Sequence, residues 1–334
     1  MTLNQPSESP AVGTCRWSVM IPTYNPRADY LAETLRSVLA QDPGEALMQI
    51  EVVDDGSPQG APEALVKQVA GDRVTVHREA RNLGLAGIWN RCIARSRGQW
   101  LHILHQDDLV KPGFYHQLQA GMESPARPAL LFCRQEFIDE HGRSKRLSNL
   151  ELETAGCLPN ALTRLAQAQA IQVSAALVRR SIFESIGGLR PDLCFTLDWE
   201  LWCRIARQFP VWYEPEALAR FRVHEGAESS RLTLTGRDVA DVRKCIEIIS
   251  GYVPDAITRA RVRRDALQRT AGFALQNAET LAAAGRRGAA WRQLAGALRC
   301  DFSPQVLKHA LWLLPAVAGL VNQRKSPTAQ ETHG

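Results

Sequence analysis

Residues 101–108 read LHILHQDD, an apolar run that ends in two adjacent carboxylates. With Trp100 in front, residues 100–104 have the character of a buried strand, and the acids mark where it leaves the core. Upstream the same unit repeats. Residues 17–21 (WSVMI) predict a strand ended by Pro22, and from Asp29 the residues Leu31, Leu35, Val38 and Leu39 fall at helical spacing. Residues 48–53 predict a second strand, closed by the turn-forming DDGSPQG. A helix over 64–69, a third strand over 74–77 and a helix opened by NLGLAG and reaching Ala94 follow. Residues 114–122 are helical again. Strand followed by helix, four times over, predicts an α/β fold with a mostly parallel sheet flanked by helices. Ligands bind such sheets beyond the carboxyl ends of the strands. Three polar segments are delivered to that rim: Pro22-Thr23-Tyr24-Asn25, Asp54-Asp55-Gly56-Ser57 and His105-Gln106-Asp107-Asp108. Their shared location is a stronger signal than any one of them.

Beyond Ala129 the alternation breaks down. Strands are expected over 130–137, 171–178 and 211–214, and a helix over 198–208 (DWELWCRIARQ). On that helix Glu200 and Arg204 form an i,i+4 pair, expected on its outer side. Residues 238–299 are Ala/Arg/Leu-rich and read as helices. Residues 310–321 form an apolar run too short to span a bilayer, interrupted by Pro315 and flanked by Lys308, Arg324 and Lys325. That pattern suits an interfacial anchor and equally a helix docked on the protein.

The 334 residues suffice for one large α/β domain with an appendage, and a chain 45% hydrophobic and 22% charged is an ordinary globular one. The net charge of +5 is unevenly placed. From Asp255 onward twelve Lys/Arg stand against five acids, about +7, which leaves about −2 for the first 254 residues. A basic tail can meet nucleic acid, anionic lipid or an acidic protein, or simply be a solvated helical face; for the chain as a whole nucleic acid is not an expected partner. The eight scattered cysteines form no CxxC, so a zinc site is not expected, and they read as reduced thiols of a cytoplasmic protein. Residues 1–15 read as a loose polar leader without the features of a secretory signal.

Adjacent carboxylates stay ionised together only with a cation nearby. Oxygen donors without a Cys or His cage favour Mg2+ or Mn2+, whose open positions substrate phosphates fill. The rim therefore suggests a metal–diphosphate site, although Asp107-Asp108 could also cap a helix and Asp54-Asp55 could form a plain Asx-turn. There is no GxGxxG after the first strand and no GxxxxGK[ST], which argues against a dinucleotide oxidoreductase and a P-loop NTPase. Transfer from a sugar diphosphate fits these parts: metal on the leaving diphosphate and a separate carboxylate to deprotonate the attacking hydroxyl. Asp198 is a candidate for that base, and equally for a helix cap.

The ordered set VMIPTYN, IEVVDDGS, RNLGLAGIWNRCIARSRGQWLHILHQDD and LDWELWCRIA resembles glycosyltransferase family 2, inverting enzymes with the GT-A fold. The resemblance covers about residues 16–225, with FRVHEG closing it. It implies a GT-A domain over 16–230 and a helical extension over 231–334. It implies that Pro22, Thr23, Tyr24 and Asp54, with Asp55, line the nucleotide base, usually uracil, and that Arg81, Asn82 and Gly84 line the nucleotide side. Gln106 and Asp107 lie in the Asp-x-Asp position that holds ribose and metal, with Asp108 beside them. Asp198 is implied as the base, and Arg222 and His224 as residues that reach the diphosphate. The chain departs from the pattern twice: His105 replaces the first Asp of Asp-x-Asp, and Leu197 replaces the Glu before the base. His105 could ligate Mn2+ through nitrogen but suits Mg2+ less well. The expected activity is transfer from a UDP-sugar to a hydroxyl of a saccharide or lipid-linked acceptor, in cell-surface polysaccharide assembly, with the C-terminal helices resting on the inner-membrane surface. The alternative is a non-catalytic nucleotide-sugar-binding or scaffold protein on the same fold.

Overall fold

A computed structural model describes residues 15–320; the leader before Cys15 and the basic flank Arg324–Lys325 lie outside the described residues. Strand β1 (Trp17–Thr23) is buried along its whole length, as expected of an apolar strand covered on both faces. It is followed by α1 (Ala28–Leu39), β2 (Met48–Asp54), α2 (Glu63–Ala70), β3 (Thr75–Arg78), α3 (Gly84–Arg95) and β4 (Trp100–Ile103). β3, β2, β1 and β4 lie side by side and parallel, so the strand–helix reading holds through this half. Val19, Ile21 and Val52 from the sheet pack with Leu31, Leu35 and Val38 of α1 in one core.

The second half adds β5 (Leu109–Val110), α4 (Phe114–Met122), β6 (Leu130–Ile138), β7 (Ser144–Leu147), β8 (Gly156–Cys157), α5 (Ala161–Ala166), β9 (Ala176–Arg179), α6 (Phe183–Ile186), α7 (Leu197–Ala206) and β10 (Val211–Arg222). β9 runs antiparallel between β4 and β6, and β10 pairs parallel with β6, giving a mixed sheet in the order β3-β2-β1-β4-β9-β6-β10-β5. Residues 171–178 are not one strand: a 3-10 turn over Val173–Ala175 precedes β9. Asp107-Asp108 cap no helix, because β5 follows them and Gly113 stands at the N-cap of α4. The Glu200–Arg204 pair forms at 2.9 Å but faces inward. Glu200 is fully buried, and the Arg204 guanidinium also donates to the carbonyls of Ile186 and Gly188.

The described residues divide into two compact units. The first takes residues up to Leu165 together with Gln169–Asp192 and Leu197–Val223; the second takes Ala166–Ala168, Leu193–Thr196 and the residues from His224. The second unit holds α8 (Glu228–Thr235), α9 (Arg237–Ser250), α10 (Ala256–Ala283), α11 (Arg287–Cys300) and α12 (Pro304–Val317). Its core joins Ala271, Ala274 and Leu275 of α10, Leu294 and Ala297 of α11, and Val306, Ala310 and Leu313 of α12. Asp241 of α9 accepts from the backbone N–H groups of Cys194, Phe195 and Thr196, at 2.9 Å each, and so ties that short segment into the same unit. No helix among the described residues is long and apolar enough to cross a membrane.

Candidate active site

The three rim segments are bonded to one another at the carboxyl end of the parallel strands. Pro22 lies in β1 beside Val53, and the next pair aligned across the two strands is Thr23 and Asp54. Asp54 is fully buried. Its carboxylate accepts from Thr23 Oγ1 (3.3 Å), from Ser57 N (3.0 Å) and from the Ser57 hydroxyl, and Arg78 Nε lies 3.3 Å away. The Ser57 hydroxyl accepts from Asn25 N at 2.8 Å and so stitches the first rim loop to the second. Gln106 reaches back from the end of β4 to the other side of the same loop. Its Oε1 accepts from Tyr24 N (2.9 Å) and its Nε2 donates to the Tyr24 carbonyl (3.4 Å). This two-point clamp holds the backbone while the Tyr24 ring stands 44% exposed, available for stacking.

Asp55 accepts from the backbone of Leu83 (2.6 Å) and Gly84 (3.2 Å), where the Arg81-Asn82 loop enters α3. Burial raises its carboxyl above the ordinary range, against the pull of those two N–H groups. The loop crosses directly over Gly56, where a Cβ would come within 2.9 Å of the Arg81 carbonyl carbon; Gly56 also has φ +68°, so only glycine suits this crossing. Asn82 accepts from Gly84 N at 3.0 Å. Arg81 is exposed and makes no ion pair among the described residues, which leaves its charge on the rim.

The two acids of the opening stretch face different ways. Asp108 is fully buried: Oδ1 accepts from Arg222 N (2.8 Å) and Oδ2 from the Ser174 hydroxyl. Burial, with the Asp107 charge beside it, pushes its carboxyl well above the ordinary range. Burial also lowers His105, an effect that Asp107 partly opposes. The His105 Nδ1–Asp108 Oδ2 approach of 3.6 Å is therefore too long for a hydrogen bond and joins two groups held towards neutrality. The His105 ring lies against Trp89, with 5.2 Å between centroids, and its Nε2 is buried without a hydrogen-bond partner. His105, Asp107 and Asp108 offer ligand atoms within 4.8 Å of one another. An orphan imidazole nitrogen beside a half-buried carboxylate fits a divalent ion that accepts nitrogen. Asp108, with both oxygens engaged inside the protein, contributes position.

The segment between α5 and β9 carries side chains that the sequence reading missed. Ser174 links Asp108 to the 3-10 turn, and its carbonyl lies 3.0 Å from His102 Nε2. Gln135 holds residues 170–172 through the Ala170 carbonyl (3.2 Å) and Gln172 N (3.2 Å). Gln169 donates its amide to both oxygens of Asp198, at 2.9 and 3.0 Å. Asp198 sits in the first turn of α7, only 6% exposed, and also accepts from Trp199 N at 2.8 Å. It is therefore oriented rather than merely buried, and the helix N-terminus favours its charge. Trp202 of the same helix donates to the Ile171 carbonyl at 3.2 Å, which fixes α7 to this segment.

Arg222 behaves differently from its implied role. It is 2% exposed, donates to the Asp107 carbonyl (2.9 Å), pairs with Glu33 (2.6 Å) and stacks on Tyr30. Its guanidinium braces the loop that carries Asp107 from behind. His224 begins the second unit, where its carbonyl accepts from the Ser230 hydroxyl at 2.9 Å.

Comparison with known proteins follows this geometry. The sequence model of glycosyl transferase family 2 matches residues 18–187. An uncharacterised protein of Mycobacterium tuberculosis is 28% identical over 74% of this chain and 78% of its own length. An uncharacterised glycosyltransferase of Rickettsia felis is 28% identical over 65% of this chain, but the match spans only 35% of that longer relative. Among solved structures, S. aureus TarS residues 1–349 in complex with UDP-GlcNAc is similar at a TM-score of 0.63 and 16% identity, over 91% of this chain and 92% of that one. The mannosyltransferase PcManGT of Pyrobaculum calidifontis, in complex with GDP-Man and Mn2+, matches at 0.57 and 18% over 95% and 84%. At these identities the structural likeness concerns the fold.

Proposed function

The chain belongs to glycosyl transferase family 2, and from that membership we propose that it is an inverting glycosyltransferase that moves a sugar from a UDP-sugar to a hydroxyl of a saccharide or lipid-linked acceptor. The observation that carries the reading is the oriented Asp198 carboxylate, clamped by Gln169 on the segment whose Ser174 also holds the Asp107-Asp108 loop. In this reading Asp198 takes the proton of the acceptor hydroxyl. The freed oxygen attacks the anomeric carbon from the side opposite the nucleotide diphosphate, which departs with the electrons of the broken bond. Tyr24 provides the stacking platform for the base, and Arg81 a cation beside the nucleotide.

Asp107 and His105 are the residues that would hold a divalent ion, which when bound neutralises charge on the leaving diphosphate. A nitrogen donor favours Mn2+ over Mg2+. The Mn2+ in the Pyrobaculum complex and the UDP-GlcNAc in the TarS complex support a metal-assisted nucleotide-sugar site on this fold. We place the work in cell-surface polysaccharide or glycoconjugate assembly, on the cytoplasmic face of the inner membrane.

The test is release of nucleotide diphosphate from a set of nucleotide-sugars in Mn2+, with and without saccharide acceptors. Asp198→Asn keeps the shape and removes the base, so transfer should fall about 10²- to 10⁴-fold while nucleotide-sugar binding persists. Transfer by Asp198→Asn at the parent rate would dismiss the base. Tight donor binding by the parent with no turnover on any acceptor would favour the non-catalytic alternative.

A further inference from the structure

α12 is apolar on two faces. Val306, Ala310, Leu313 and Val317 pack into the core of the second unit. Leu307, Leu311 and Trp312 point away from it, with Leu311 66% and Trp312 46% exposed, and Phe302 just ahead is 68% exposed. Between α11 and α12 runs an open groove of about 180 Å³ in which every lining side chain is apolar, among them Trp291, Leu298, Leu307 and Leu311.

A second cavity of about 400 Å³ adjoins it between α9 and α11 and shares Trp291 and Ala295 as a common wall. Its charge is one-sided: Arg243, Arg292 and Arg299 line it, and no acid does. Arg292 donates to the Leu234 carbonyl at 3.3 Å. Arg243 and Arg299 are exposed and make no ion pair among the described residues. Elsewhere in this unit arginines do find acids, as Arg263 does with Glu247 at 2.6 Å. Glu247, already paired with Arg263, is an acid that Arg243 senses from outside the lining; three like charges gathered on a wall with no acid repel one another, and an anion relieves that repulsion.

A cationic cavity joined to a wholly apolar groove matches an amphiphile with an anionic head. We infer that this face of the second unit binds the surface of an anionic phospholipid bilayer, with a lipid phosphate against Arg243, Arg292 and Arg299. The lipid chain lies along the groove, and Leu311 and Trp312 enter the interface. A second copy fits less well, because a two-fold contact across this face would bring arginines against arginines. The inference specifies the membrane partner in the reading above and is independent of the chemistry of transfer.

Flotation of the full-length protein with vesicles tests it. The parent should float with vesicles containing phosphatidylglycerol, remain unbound with phosphatidylcholine alone, and be released by salt. Replacing Arg243 and Arg299 together by alanine should weaken binding about 30-fold, each arginine contributing about fivefold. Leu311→Ser with Trp312→Ala should weaken it separately. All variants should keep the parent's melting temperature and its nucleotide release in solution, so a failed transferase assay and a failed vesicle assay stay distinguishable. Equal binding to neutral and anionic vesicles would overturn the inference. So would parent-like vesicle binding by the double arginine variant, self-association without vesicle binding, or binding of inorganic phosphate alone.

Discussion

His102 shows what a single residue contributes to the scaffold beneath the site. It is fully buried in β4, stacked on Phe114 at 4.8 Å, with Nδ1 3.0 Å from the Tyr115 hydroxyl. Burial pushes its pKa down to about 4. Unfolded, the same group titrates near 6.5. Between these values the unfolded chain binds the extra proton, so the stability that neutral His102 contributes is present above pH ~6.5 and is lost as pH falls towards ~4. The loss amounts to about 3 kcal/mol. Thermal melts across that window should show the decline, and His102→Phe should flatten it; an unchanged slope in the variant would reassign the effect. In the sequence His102 is one more residue in an apolar run. Its neutrality comes from burial, which outweighs the opposing pull of the Ser174 carbonyl, a partner 72 residues away.

The parallel half of the sheet was legible because its elements carry their own patterns: largely apolar runs for β1 and β4, Met48, Ile50, Val52 and Val53 before a turn signal for β2, and helical spacing for α1. Residues 171–178 misled for a physical reason. Ile171-Gln172-Val173-Ser174 alternates as a strand does, but the long-range bonds of Ser174 and Gln172 bend it into a turn. Just ahead of it lies Gln169, whose bond to Asp198 joins residues 29 apart and has no local signature. The family motifs single out Asp198 as the proposed base, and only the fold shows the Gln169 amide bonded to it. Gln169→Ala should therefore lower kcat about 10- to 100-fold while KM for the nucleotide-sugar stays within about twofold. A matching rise in KM with kcat intact would instead make Gln169 a donor-binding residue.

At the scale of the molecule, the expectation of reduced thiols can be compared with all eight cysteines. Every one is free. Burial pushes Cys133 up to about 12 and Cys300 up to about 11, and raises Cys92 further, so these thiols are poor nucleophiles. A reducing agent should leave the melting temperature unchanged, and thiol labelling of Cys92, Cys133, Cys203 and Cys245 should require denaturant. A melting temperature lowered by reductant would reveal a cross-link. The basic balance from Asp255 onward was visible as a count of charges, whereas the gathering of its Arg292 and Arg299 with Arg243 in one cavity was not. Arg243 and Arg299 lie on different helices and meet only through packing such as Gly296 against Val239, where a Cβ would approach to 3.0 Å.

Asp108 has a consequence for how variants of the Asp-Asp signature are interpreted. It holds together the end of β4, the turn at Ser174 and the last residue of β10, segments that are 66 and 114 positions distant from it. An inactive Asp108 variant would report a sheet that no longer closes, whatever the state of the metal. On the proposed reading, in which Asp107 and His105 hold the ion, a relative that used no metal would still need Asp108 for these bonds, whereas Asp107 and His105 would be free to drift. Persistence of the second acid is thus no sign that an ion is used; the fate of the first acid and of the histidine is the informative record.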